Sequence, residues 1–446
     1  MKIFVMVVDS LRPDFLDIYN PQVALTPNIN KIAETGTIFK HAFSQANWTY
    51  PSLYSLLIGL YPSRLNISFF NQKINAPDRI LPELLSKKGY ITAVFSSFKT
   101  LVNPHTFGSH FSERHLVNAT DAALLEFKQW IGSTGSKKDL FILYHLGDYT
   151  HVPYCVPGEY IPPNLREDNV TNKNLHILTG KSSGSVNIKN IFRRINARLI
   201  RLKPAELQFL RERYMGGVRY IDHFIGRFYE SFCEKDPEVT FILVADHGEG
   251  FLEHGIIGHG LGIYNELIKI PMIITGPKFV NQRVDHPVQL IDLYPTLCSI
   301  AGLNLSRFQL DGIDLFDRIQ GKKGKVVCDA YPLIASIEEN YKVISSHLKF
   351  KTKRNILKEL KSAAIEKKWG RLAYRLQSFL RKDEMYDYHL DPFEKYNIRR
   401  KKPEIYLGIK ESLAEYINHC RDISLFCEDI DLDDELVSQL KGLGYM

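Results

Sequence analysis

What this chain lacks narrows its class before any motif is considered. No apolar run approaches the ~20 residues that a membrane-spanning helix needs, and no segment repeats. Cysteines are few, six in 446 residues. Cys155, Cys233, Cys298, Cys328, Cys420 and Cys427 are scattered, with no Cys-x-x-Cys among them. Free, buried thiols in a reducing compartment are the simplest reading. Nothing resembles a nucleic-acid-binding motif, so no nucleic-acid partner is expected. The N-terminus has one lysine, six apolar residues and then Asp9, too short for a secretory leader. A cytoplasmic location is therefore expected, with peripheral contact at a membrane surface left open. The formal net charge of +7 favours anionic substrates weakly. Hydrophobic content of 44% and charged content of 24% fit a globular chain, long enough for one large domain and a smaller one.

What is present is a set of strand ends that carry chemistry. Phe241-Ile242-Leu243-Val244 reads as a buried strand of a parallel sheet. It runs directly into Ala245-Asp246-His247-Gly248-Glu249-Gly250, followed by His254-Gly255 and Gly258-His259-Gly260. Open α/β sheets bind ligands at the carboxyl ends of their strands, and a carboxylate with an imidazole suits a divalent metal such as zinc or manganese. A second strand, Ile3-Phe4-Val5-Met6-Val7-Val8, ends in the same way at Asp9-Ser10. Alone, Asp9 reads as a turn former; paired with Asp246 and His247 it completes a plausible metal cradle. Ala93-Val94-Phe95 and Pro271-Met272-Ile273-Ile274 read as further buried strands. Their alternation with helical patterns up to about residue 320 argues for an α/β fold with a doubly wound, mainly parallel sheet.

Landmarks along nearly the whole chain resemble the sulfatase-like branch of the alkaline phosphatase superfamily. They include Val8-Asp9-Ser10-Leu11-Arg12-Pro13-Asp14, Leu25-Thr26-Pro27-Asn28, Thr49-Tyr50-Pro51-Ser52-Leu53, His151-Val152-Pro153-Tyr154, Tyr220-Ile221-Asp222, the Asp246 to His259 string, Asp292-Leu293-Tyr294-Pro295 and Asp391-Pro392-Phe393-Glu394. The resemblance implies an alkaline phosphatase-like main domain, residues 1–322, and a smaller C-terminal α+β subdomain, 323–446, with a small antiparallel sheet. Here Tyr341-Lys342-Val343-Ile344 and residues 347–351 read as a hairpin, and 425–446 as a terminal helix docking back.

The departure from the family lies at the nucleophile. Sulfatases resemble one another in a Cys-x-Pro-x-Arg or Ser-x-Pro-x-Arg motif whose first residue is oxidised to formylglycine. This chain has Thr49 there, and Leu53 in place of the arginine. Threonine is a secondary alcohol, so the same oxidation would give a ketone; no formylglycine is expected. Thr49 itself is a sensible nucleophile if something activates it, and metal coordination does: it lowers the pKa of bound water from about 15.7 to about 7. Pro51 fits the first turn of a helix and Gly59 its exit, placing Thr49 at a helix N-terminus suited to anions.

Superfamily members with a threonine nucleophile act on phosphodiesters, phosphonates or phospho-substituted glycans and lipids. By that resemblance Asp9, Thr49, Asp246 and His247 are the metal ligands, Thr49, His151 and His259 the catalytic residues, and His151, His254 and His259 the substrate contacts. Ser10 stands where calcium-type sulfatases carry a second aspartate, which tilts the single divalent metal toward Mn2+ or Zn2+ over Ca2+. Asp148 reads as a loop cap and His145 as a core histidine. Ser96-Ser97 stand where relatives have a lysine. Basic amphipathic stretches at 191–203 and 354–382 could rest on an anionic membrane or hold an anionic polymer, or be solvated helix faces.

Three readings follow: a metal-dependent phosphoryl-ester hydrolase or transferase using Thr49, a sulfuric ester hydrolase, and a non-catalytic sulfatase-like binding protein. The substrate is an anionic ester, its alcohol a glycan or lipid. The sequence sets no oligomeric state.

Overall fold

The structure is a computed structural model that describes residues 1–65, 72–76, 78–134, 139–163, 188–347, 380–422 and 427–429. Its centre is an eight-stranded sheet. In chain order the strands are β1 (Lys2–Val8), β2 (Thr37–Phe39), β3 (Ile91–Ser96), β4 (Glu113–Leu116), β5 (Leu140–Leu146), β6 (Val239–Ala245), β7 (Met272–Thr275) and β8 (Gln282–Val284). They lie side by side as β8-β2-β7-β6-β1-β5-β3-β4. β7 alone runs against its neighbours, pairing antiparallel with both β6 and β2. The expected mainly parallel α/β sheet is thus present, with one reversed strand inside it.

β1, β5 and β6 are apolar at almost every position because both of their faces are covered. Phe4 of β1 packs edge-on against Phe127 and Phe228, each ring 6.0 Å away. These belong to α2 (Asp121–Thr134) and α4 (Pro204–Phe232), which follow α1 (Thr49–Ile58) and α3 (Ile188–Asn196) into the numbering. All ten residues of α1 are buried, and Leu53, at the position of the family's arginine, sits in the main core. Gly59 ends α1 in the left-handed region at φ 74°; a side chain there would strike the ring of Tyr294 at 2.5 Å.

A second sheet is antiparallel and joins β9 (Val326–Ala330), β10 (Leu333–Glu338), β11 (Tyr341–Ser346) and β12 (Glu384–Asp387). Period-two alternation splits its side chains. Val327, Ile334, Val343 and Met385 pack under α5 (Pro403–Asp422). Cys328, Ala335, Ile344 and Tyr386 pack against Phe43, Ile263, Leu267 and Ile268 of the main unit. Lys342 is fully buried at this seam, its ammonium 2.7 Å from Glu394 and donating to Asn265 at 3.0 Å.

Several details differ from the sequence reading. The hairpin joins β10 and β11, not 341–344 and 347–351, because Glu339 and Asn340 make the turn; residues 348–351 lie outside the described residues. The basic stretch 191–203 is not one helix: α3 stops at Asn196 and α4 begins at Pro204, where proline suits a first turn. Within 425–446, Cys427–Asp429 forms a strand beside Gln72–Ile74 instead of helix. The rest of that segment, and nearly all of 354–382, lies outside the described residues.

Candidate metal and nucleophile centre

The register of the three central strands builds the site. Val8 pairs with Leu146 on one side and Ala245 on the other, so β1, β5 and β6 end level. Side chains two apart share a face. Asp9, one step past β1, therefore points the same way as Val7, whose partners are His145 and Val244. Asp246, two past Val244, faces the same way. Asp9, His145 and Asp246 converge with ligand atoms within 4.8 Å of one another. Nε2 of His145 is 3.8 Å from a carboxylate oxygen of Asp9 and 3.8 Å from one of Asp246.

His247 closes the group from above. Its Nδ1–H donates to the carbonyl of Gly248 at 2.9 Å, leaving the Nε2 lone pair 3.5 Å from Asp9 and 3.6 Å from Asp246. The same nitrogen lies 3.4 Å from Oγ1 of Thr49, at the start of α1 and 1% exposed. Gly248 lets this loop pass the next one closely, since a Cβ there would meet the carbonyl of Glu266 at 2.1 Å. Ser10, at φ 60°, turns its hydroxyl sideways and donates to Asp9 at 2.8 Å.

A divalent cation is what the family resemblance implies, and the donor set fits one. Oδ2 of Asp246 and Nε2 of His145 are buried without a hydrogen-bond partner, a costly arrangement for polar atoms unless a ligand sits between them. Burial pushes His247 down to about 4, against the pull of Asp246. Burial alone would raise Asp246, but the attraction of His247 and the contacts of His145 and Thr49 hold it below the ordinary carboxylate range. Protons compete with metal for the same atoms. Metal uptake by the apoprotein is therefore expected to persist from pH 7 to about 5 and to fall away as pH drops through about 4. Titration of bound zinc or manganese against pH checks this; a loss centred near the ordinary imidazole value would contradict it.

The remaining sequence-derived residues divide into two groups. His151 and His259 stand beside the cradle, their rings 4.9 Å apart, and His259 is 4.4 Å from the ring of His247. His151 Nδ1–H donates to the carbonyl of Val152 at 2.7 Å. His259 lies between Gly258 and Gly260, both in the left-handed region at φ 78° and 84°, which explains the Gly-His-Gly string. Its Nδ1 bonds Glu249 at 2.7 Å. His254 has partners of its own: its two nitrogens bond Glu266 at 2.7 Å and the carbonyl of Glu394 at 3.2 Å, and its ring stacks on Tyr264.

Two residues of the centre were not singled out from the sequence. His145 was read as a core histidine; the strand register places it among the carboxylates. Glu249 is fully buried and accepts from Tyr154 at 2.5 Å with the oxygen that does not bond His259, while Arg12 donates to its carbonyl at 2.9 Å. Second ligands of this kind fix the tautomer and direction of an imidazole. Glu249→Gln is expected to lower kcat about 10–100-fold with KM much less affected, measured with whichever ester proves to be turned over; an unchanged kcat would remove Glu249 from the machinery.

A level row of strand ends carrying carboxylates and imidazoles, on this sheet with its small antiparallel companion, is a fold shared with solved sulfatase and phosphonate monoester hydrolase structures. The sulfatase family model matches residues 2–303, and the chain belongs to that family. A curated relative, the Delta 4,5-hexuronate-2-O-sulfatase of Bacteroides thetaiotaomicron, is 26% identical over 194 residues, 41% of this chain and 35% of the relative. The chain thus matches only about a third of that protein's length. Among solved structures, the phosphonate monoester hydrolase of Agrobacterium radiobacter superposes with TM-score 0.67 at 15% identity, covering 97% of this chain and 98% of that one. A protein crystallised with its substrate D-glucosamine-2-N,6-O-disulfate gives TM-score 0.65 at 17% identity, with coverages of 94% and 98%.

Proposed function

We propose that the chain is a metal-dependent hydrolase or transferase of phosphoryl esters that uses Thr49 as its nucleophile. The observation that carries this reading is the Thr49 hydroxyl, buried at the N-terminus of α1 and 3.4 Å from His247 at the lip of the carboxylate cradle. Asp9, Asp246 and His247, with Thr49 beside them, would hold the cation. When bound it would supply positive charge at the transferring group and favour the ionised form of the Thr49 hydroxyl.

The chain's own groups do the rest. Oγ1 of Thr49 attacks phosphorus in line, and the bond to the leaving oxygen breaks as the threonine ester forms. His151 balances charge on the equatorial oxygens. His259, held by Glu249, hands a proton to the departing oxygen. Water or an acceptor hydroxyl then releases the group from Thr49, giving a hydrolase in the first case and a transferase in the second. A secondary alcohol supports this chemistry without oxidation. The shared fold with a phosphonate monoester hydrolase fits a phosphorus centre, and a glycan or lipid is the alcohol we favour. We place the protein in the cytoplasm, with contact at a membrane surface as a further part of the proposal.

A second reading, sulfuric ester hydrolysis, is favoured by the family itself and by the sulfatase among the relatives. The discriminating experiment compares aryl phosphodiester, phosphonate, phosphomonoester and sulfate esters in Mn2+ and in Zn2+. Phosphodiester or phosphonate turnover supports the first reading. Sulfate turnover alone supports the second, and no turnover by folded, metal-loaded protein supports a dedicated transferase or a binding role.

A further inference from the structure

We propose that His145 is a metal ligand and that it decides which cation the cradle takes. The proposal rests on the metal-dependent reading above and adds a residue and a selectivity to it. The neutral alternative, a histidine packed in the core, leaves too much unexplained. Its ring is fully buried on β5, yet Nε2 has no hydrogen-bond partner. That atom is aimed between two carboxylates, 3.8 Å from each. The facing Oδ2 of Asp246 is equally without a hydrogen bond. The far side of the ring is anchored: Nδ1 contacts the Ser96 hydroxyl at 3.1 Å, and that hydroxyl in turn accepts from the backbone of Phe98 at 2.9 Å. In the tautomer whose Nδ1–H donates to this serine, the Nε2 lone pair faces the carboxylates, the way second partners orient metal-binding imidazoles.

The resulting donor set is two carboxylates and two imidazoles, with one alcohol beside them. Calcium takes six to eight oxygens, and this cradle does not supply them from side chains, because the Ser10 hydroxyl is turned to Asp9. Nitrogen donors in this number select zinc or its first-row neighbours. Ser96 then acquires a reason as well: it stands under the imidazole and aims it.

The test uses the full chain, stripped with chelator and titrated calorimetrically with Zn2+ and with Ca2+, alongside Co2+ absorption spectra. Wild type is expected to bind one Zn2+ per chain and to prefer it strongly to Ca2+. His145→Asn, close in shape, is expected to lose at least ~100-fold in Zn2+ affinity, above the effect of an outer partner, and to change the Co2+ spectrum. His145→Asp exchanges a nitrogen donor for oxygen and is expected to narrow the Zn2+ to Ca2+ preference by at least ~100-fold. Should one variant fail to fold by circular dichroism, the other carries the test. Should both fail, the Co2+ spectrum of wild type, with or without the signature of two imidazoles, decides. Wild type that takes up no divalent ion overturns the functional reading. Wild type that binds Zn2+, with variants that match it in affinity, preference and spectrum, overturns the assignment of His145 alone.

Discussion

On the proposed mechanism Thr49→Ala is expected to lower turnover at least ~10³-fold, since a nucleophile acting within a unit cannot be replaced by its neighbours. The variant should fold normally, because a methyl group still fills the position at the head of α1, whose N-cap is Trp48 and not Thr49. Thr49→Ser keeps a hydroxyl in the same place and should retain much of the activity. Rapid quenching of wild type should trap a covalent group on Thr49, visible by mass spectrometry of the peptide that carries it. The two measurements separate chemistry from architecture. Alanine protein with full turnover would sink the mechanism, and sulfate turnover that survives in it would point to water as the attacking group.

The second large effect is on stability. Lys342→Met should destabilise the protein by about 3–5 kcal/mol, the usual cost of stranding one member of a buried ion pair. Lys342 and Glu394 are both fully buried. Glu394 also accepts from the backbone of Asn265 at 2.6 Å, so it cannot escape to solvent when its partner is removed. Urea titration of the variant measures the loss. Replacing Glu394 with leucine at the same time should recover much of it, since a paired apolar substitution leaves no charge behind. A loss below about 1 kcal/mol would mean that water reaches this seam. The pair joins β11 of the small sheet to the loop before α5 and to Asn265 of the main unit, so its rupture should also loosen the two sheets from each other.

The large features were legible in the sequence where one physical rule governed them. Apolar runs closed by Asp9 and by Asp246 marked strand ends, because strands buried on both faces read as unbroken apolar segments. Pro51 and Gly59 bracketed α1 by their backbone preferences. His145 was not legible by composition, since a histidine inside an apolar run resembles any other core polar residue. Its signal lies in register: aligning the ends of the runs at Val8, Leu146 and Ala245 would have set residue 145 on the face of Asp9 and Asp246. Glu249 was hidden for another reason. Its partners, Tyr154 and His259, are brought to it by loops whose paths no local pattern encodes. The reversal of β7 was likewise silent, as a buried strand reads the same in either direction. The gap in the basic stretch was signalled by Pro204, whose ring starts a helix more readily than it continues one.

The level ends of β1, β5 and β6 also set an order of events. Donors near residues 9, 145 and 246 come from three neighbouring strands that are remote along the chain, and their meeting closes two long loops. No fragment that ends before β6 can possess the cradle, and no chain whose central register has slipped can keep it, because a shift of one residue would turn every donor to the opposite face. A cation held there would therefore report correct assembly: a chain that bound one would already have found the right neighbours for its first strand.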